Sequence, residues 1–309
     1  MTFHRAAAPR IGSAQPGDPL DLFLNSVSFL IVDGIAYGMV LFVISIGLAI
    51  TMGLMRVVNL AHGSFAAFGG YIGIKAVNEL GVPFPVGLLI AFAGTFLVSI
   101  VLERLLYVHL YKASELKQVL MTVGVILVSI ATFNLVFGAQ SLPVKLPDYL
   151  TGPVDLGFRE VPSYRVFLIA VGLVLMVGLW LLLDRTRFGA QIRAAVDNRH
   201  MAESMGIDVM RLFTITFALG SGLAGLGGAL GAEILPLEPV YAFKHLLTFL
   251  IVVSVAGFGN IKAVAIVSLI LGVIDTAGRY FVPAYGAFVI YLTMIAILLW
   301  RPNGLFSKA

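Results

Sequence analysis

Few side chains in this sequence have the type and spacing to do chemistry. Asn59 and His62, in VVNLAHGSFAAFGGY (57–71), stand three apart at a membrane boundary, where a helix would put them on one face. His62, with Gly63 beside it, could line or gate a solute pathway, because ionisable groups at membrane depth are often functional. Equally, Asn59 could cap a helix start and Gly63 could admit a neighbouring helix. Asp275 and Arg279, in GVIDTAGRYF, are four apart and suit a local ion pair or a solute contact. Asp33 lies in an apolar run without an evident partner. Glu233 and Glu238 flank prolines, but no nucleophile or base accompanies them, so acid–base catalysis is not expected. The histidines at 4, 62, 109, 200 and 245 show no ligand spacing and the chain has no cysteine, so no metal site is expected. GSGLAG (Gly220–Gly225) has the spacing of a dinucleotide fingerprint but sits inside an uncharged run. Small residues that let helices approach closely explain it better. There is no P-loop pattern either, so neither a catalytic residue nor a bound cofactor is expected on this chain.

The elements that must position these residues are helices in lipid. Of 309 residues, 60% are hydrophobic and only 12% charged, against roughly 45–50% and about 25% in soluble domains. The net charge of +4 is not massed on one polar domain, so nucleic acid is not an expected partner. Residues 1–21 read as a loose N-terminal tail without a signal-peptide core. Apolar runs recur near 26–54, 61–78, 84–106, 118–138, 164–183, 212–232, 243–257, 260–280 and 284–300. This predicts an all-α polytopic transmembrane helical bundle, a single domain over 22–306, with about eight crossings plus a broken or half-crossing helix. The seventh run is short and ends in AGFGN, as half-crossing helices do. The first is long enough to tilt, or to break at Gly34 or Gly38. Placing 184–211 on the cytoplasmic side puts twelve Lys and Arg in inner loops and six in outer ones, leaving aside the tail. Loop 139–164 is then external. It has four prolines and serves as a connection or as a rim for an outside partner.

The most organised polar stretch is DRTRFGAQIRAAVDNRHMAESMGIDVMRL (184–212), which holds nine charged residues between two uncharged runs. Phe188–Gly206 reads as one short helix, preceded by Gly189 within its first turn and ended by Gly206. Asp208 reads as the N-cap of the next crossing. The apolar face is made of small residues, which suits a protein cleft better than deep insertion into lipid.

This stretch resembles the coupling region of permeases in ATP-binding-cassette importers for branched-chain amino acids. VVNLAHGSF and LLWRPNGLF are similar to the opening and closing motifs of that family. The resemblance implies a permease subunit in the bacterial inner membrane, with the C-terminus cytoplasmic and the N-terminus periplasmic. It implies partners: cytoplasmic ATPase subunits that consume the ATP, a second permease subunit (a paralogue or another copy), a periplasmic solute-binding protein and the lipid bilayer. The residues it places at the ATPase are Gly189, Arg193, Ala194, Ala195, Arg199, Ala202, Gly206 and Asp208. VAGFGNIKAVAIV departs from the family pattern at Ala256, Asn260, Lys262 and Val264. Relatives also move urea, short amides and small organic carboxylates. An ion-coupled secondary transporter is the rival reading, and it needs an intramembrane ionisable network.

Overall fold

In a computed structural model the first apolar run is one unbroken helix, α1 (Pro19–Met55). The structure describes residues 19–55, 57, 59–111, 113–155, 160–257, 260–302 and 304–306, with side chains from 27 onward except that of Leu54. Residues 1–18 of the expected tail lie outside the described residues, and Pro19–Asp21 already belong to α1. The helices that follow are α2 (His62–Leu80), α3 (Phe84–Leu105), α4 (Glu115–Phe137), α5 (Ser163–Arg185), α6 (Arg187–Asp197), α7 (Arg199–Ser204), α8 (Val209–Gly231), α9 (Tyr241–Ala256), α10 (Ile261–Phe281) and α11 (Gly286–Trp300). All nine apolar runs are helical. α1, α3, α4, α5, α8 and α10 are long and apolar enough to cross a membrane, while α9 and α11 are shorter. The fold is an all-α polytopic bundle.

Its axis is α8, which is buried along most of its length and packs against α1, α2 and α3. Glycine makes this possible. A Cβ on Gly228 would lie 1.9 Å from the Ala66 carbonyl oxygen, and one on Gly47 would lie 2.1 Å from that of Gly220. With no room for a methyl group, the backbones themselves are in contact, which is how helices associate where lipid gives no hydrophobic drive. Gly34 and Gly38 do not break α1, contrary to one sequence expectation. They are where α10 approaches, at Val273 and at Ser268–Leu269. By contrast α4 leaves Leu120, Leu127, Val128 and Leu135 exposed, as a lipid-facing helix does.

Two helices start inside the bundle. His62, the first residue of α2, bonds through Nε2 to the Ile44 carbonyl at 2.9 Å. Ile44 is eleven residues, about 16 Å of helix, before the end of α1. The chain therefore turns back into the bundle before α2 begins. The chain also turns back after α8, and α9 starts beside α2, with Gly63 against the backbone of Ala242. The half-crossing expected at α9 thus has a counterpart in α2 that periodicity did not reveal. Loop 139–164 adds a small antiparallel hairpin, β1 (Pro153–Asp155) with β2 (Glu160–Pro162). It is held to the end of α2, where Asn78 bonds the backbone of Pro143 and Lys145, and to Leu237 through Leu142.

The contact at Gly228 predicts a sharp contrast. Gly228→Leu collides with rigid backbone, and overpacking of this kind costs about 1–3 kcal/mol or more. Gly124→Leu on α4 meets nothing within 4 Å. In size-exclusion chromatography after detergent extraction, the first variant loses its monodisperse peak and the second keeps it.

Candidate functional site

The charged segment is a folded joint between α5 and α8. The last turn of α5 is tied off locally, since Thr186 Oγ1 and Arg193 Nη1 donate to the carbonyls of Leu182 and Leu183. Arg193 thus puts a positive group at a helix C-terminus, where it is favoured. Gly189 lies so close to this end that a Cβ would fall 1.9 Å from the Leu183 oxygen. Only glycine lets α6 fold back at this angle.

The single helix expected over Phe188–Gly206 is two helices. Asn198 has extended backbone and caps α7, its Oδ1 accepting from the Met201 N–H at 3.0 Å. An asparagine competes with helix by bonding nearby backbone, which is why the run breaks here. Gly206 has φ +82°. Its N–H donates to the Glu203 carbonyl and that of Ile207 to the Ala202 carbonyl, the paired bonds of a Schellman turn. Asp208 caps α8, with Oδ1 accepting from the Arg211 N–H at 3.0 Å. Ala195 and Ala202 face the bundle, at 5% and 3% exposure. Ala194 is exposed, as are Val196, Met201 and Met205.

A polar knot that sequence reasoning missed fastens this joint to the bundle. Arg199 of α7 lies over the ring of Phe213 in α8, 5.4 Å from its centroid, and is also paired with Glu203 at 2.9 Å. The rings of Tyr111 and Phe213 also meet in a T-shaped contact, their centroids 5.6 Å apart. The Tyr111 hydroxyl donates to Glu103 Oε1, and Thr214 donates to Oε2 at 2.9 Å. Burial, and then the hydrogen bond to Glu103, push the Tyr111 hydroxyl far above the usual phenol range, so it stays a donor. Glu103 is fully buried, and a buried carboxylate is tolerable only when its oxygens are bonded. The one signal in the sequence is an acidic residue near the end of an otherwise apolar run.

The other candidates have mainly structural surroundings. Asn59 Oδ1 accepts from the Ala61 N–H and the Tyr107 hydroxyl, holding the turn before α2. Neither it, His62 nor Gly63 lines the two principal clefts. Asp275 and Arg279 form an ion pair at 2.8 Å. Asp33, for which the sequence shows no evident partner, is paired with Arg165 across the bundle at 2.8 Å. The partner is 132 residues away and so invisible to local pattern. Glu238 is paired with Lys244. Asn260 caps α10 through the Ala263 N–H, doing at this family-atypical position what a serine also does. Lys262 lies over the Trp180 ring. Ala256 and Val264 are buried. A cleft of about 870 Å³ runs between α6, the end of α5 and the α9–α10 turn, and Gly189, Arg193, Trp180, Asn260 and Lys262 line it.

Among the described residues, the joint between two long helices is one organised polar element of a multi-pass apolar bundle. The comparisons give the family. Residues 30–298 match the family described as branched-chain amino acid transport system / permease component, and the chain belongs to it. It is 26% identical to the high-affinity branched-chain amino acid transport system permease protein BraD of Pseudomonas aeruginosa, over 90% of this chain and 95% of the relative. It is 25% identical to the probable permease protein LivH of Methanocaldococcus jannaschii, over 89% and 91%. A permease protein LivM of Escherichia coli is 26% identical over 86% and 68%.

The knot generates a stability prediction. Glu103→Leu leaves the Tyr111 hydroxyl without its buried acceptor, a loss of about 1–3 kcal/mol. Glu103→Gln keeps an acceptor oxygen and loses less. Thermal melting of the purified protein should rank wild type above Gln above Leu.

Proposed function

We propose that this chain is the translocating subunit of an ATP-driven importer for branched-chain amino acids, and that residues 184–211 pass the motion of ATPase subunits to α8. One observation carries this reading: α7 runs through the Gly206 turn and the Asp208 cap straight into the central helix of the bundle. An ATPase that grips the exposed sides of α6 and α7 displaces them when it closes on ATP. The Gly206 turn and the Arg199–Phe213 contact carry that displacement to α8. Because α8 touches α1, α2 and α3 backbone to backbone, it cannot slide without them, so the bundle rocks as a body. Gly189, Arg193, Ala194, Ala195, Arg199, Ala202, Gly206 and Asp208 are the residues of this joint, with Glu103 and Tyr111 behind it.

In this reading the joint and the C-terminus face the cytoplasm of a bacterial inner membrane, and loop 139–164 faces the periplasm and a solute-binding protein. A second permease subunit completes the path. The twofold excess of Lys and Arg on the proposed inner side supports the orientation, and the similarity to both LivH and LivM supports a pair of permeases.

Two outcomes are expected. Ser204→Cys, on an exposed residue of a cysteine-free chain, reacts with an impermeant thiol reagent only from the cytoplasmic face. Reaction only from outside overturns the orientation. Gly206→Val strains a left-handed turn by roughly 1–2 kcal/mol. Its complex assembles and meets the binding protein, but loses substrate-stimulated ATPase activity and uptake together. Uptake at the wild-type rate removes the coupling role of Gly206.

A further inference from the structure

The cleft of about 870 Å³ at the joint end lies where the bundle meets the membrane surface. The chain has two tryptophans, and both are at this end. Trp180 lines the cleft. Trp300 ends α11, just before the chain folds back onto the end of α9, where the Leu305 N–H donates to the Val255 carbonyl. Each tryptophan has a cation over it. Arg185 and Lys262 lie 5.5 and 5.9 Å from the Trp180 ring centroid, and Arg301 lies 5.8 Å from that of Trp300. Tryptophan set beside Lys and Arg marks the headgroup level of a bilayer. Away from the cleft, the helices that wall it face lipid. Lys262, Ile266 and Ile270 make one exposed stripe of α10, and Asp184, Leu181 and Val177 make one exposed stripe of α5. Each stripe starts with a charge in the cleft and continues as apolar surface.

Four charged side chains line the cleft: Asp184, Arg193, Asp197 and Lys262. Arg193 is engaged with the Leu183 carbonyl. The other three are exposed and form no ion pair among the described residues. A free lysine attracts a phosphate. Two free carboxylates oppose a net anion, but they accept from an ammonium that carries N–H groups. Position orders the two charges. Lys262 lies over the Trp180 indole, whereas Asp184 is one turn of α5, about 6 Å, further from the apolar run. A phospholipid headgroup has the same order, phosphate next to the hydrocarbon and ammonium beyond it. We propose that this cleft holds a phospholipid with an ethanolamine headgroup. Its phosphate sits on Lys262 and its ammonium on Asp184, and its acyl chains run along Ile266 and Ile270 of α10 and Leu181 and Val177 of α5. The lipid thereby bridges the end of α5 to the start of α10, beside α6. This site goes beyond the importer reading and stands without it.

The test uses the full chain in phosphatidylcholine nanodiscs. Trp300→Phe leaves Trp180 as the single tryptophan, and Trp180→Phe leaves Trp300. Phospholipids dibrominated on an acyl chain quench tryptophan fluorescence on contact. Those with ethanolamine, choline and glycerol headgroups are added separately at one low mole fraction. The ethanolamine lipid is expected to quench Trp180 about threefold more than either of the others, because choline has no N–H and glycerol no positive charge. Trp300, in its own variant, shows no headgroup preference. In the Trp300→Phe background Asp184→Asn lowers ethanolamine quenching to the choline level, and so does Lys262→Gln, while Lys262→Arg keeps the preference. Equal quenching of Trp180 by the three lipids, or the same preference at Trp300, overturns the site. Strongest quenching by the glycerol lipid overturns the ethanolamine assignment in favour of an anionic lipid. A preference that survives Asp184→Asn overturns the placing of the ammonium. Each of these results leaves the importer reading standing, since none of them measures uptake.

Discussion

The fold depends on the contact of α8 with its neighbours through bare backbone. Gly220, Gly225 and Gly228 bring this helix against α1, α2 and α3 at distances that no side chain permits. Such packing is specific but stiff. It fixes the helices by shape, in a solvent where apolar side chains gain nothing by leaving lipid. It also makes α8 a poor element to move alone and a good one to move the rest. The charged joint feeds into this helix, rather than into a lipid-facing one such as α4, as the proposed coupling requires.

The joint itself is rigid for local reasons. Each of its helices is capped at its N-terminus by a side chain, Thr186, Asn198 or Asp208, and the turn at Gly206 is closed by two backbone bonds. Glu103 then uses both oxygens of a buried carboxyl group to hold α3, α8 and the Tyr111 turn together at this end. Buried carboxylates are weak contributors to net stability but exacting about geometry. Here that exactness falls at the joint, where the proposed coupling passes displacement from one element to the next.

Much of this was legible in the sequence, and the misses share a cause. Apolar runs located nine helices because membrane length is a one-dimensional constraint. Gly206 and Asp208 were readable because caps and left-handed turns are local chemistry. The break at Asn198 was missed because helical spacing continues across it, and one capping residue outweighed the periodicity. The partner of Asp33 and the knot at Glu103 were out of reach, since Arg165 and Thr214 come near only after the bundle folds. A tilt, or a break at Gly34 or Gly38, was the expectation for the first run, and these glycines instead mark the approach of α10. A glycine in a helix has the same look in sequence whether it bends the helix or admits a neighbour. The inward start of α2 was hidden because a nineteen-residue helix, measured by length alone, resembles any other crossing.

The central claim is that α7 and α8 move as one unit against the lipid-facing helices. Spin-label distances in the reconstituted complex measure this directly. One label pair sits within the unit, at Met201→Cys and Ile215→Cys, and a second spans it, at Met201→Cys and Leu127→Cys on α4. All three positions are exposed in a chain without cysteine. On trapping the ATPases with ATP and vanadate, the account predicts an unchanged distance for the first pair and a shifted one for the second. A change in the first pair while the distance from Ile215→Cys to Leu127→Cys stays fixed would mean that the joint flexes without driving α8, and would contradict the account.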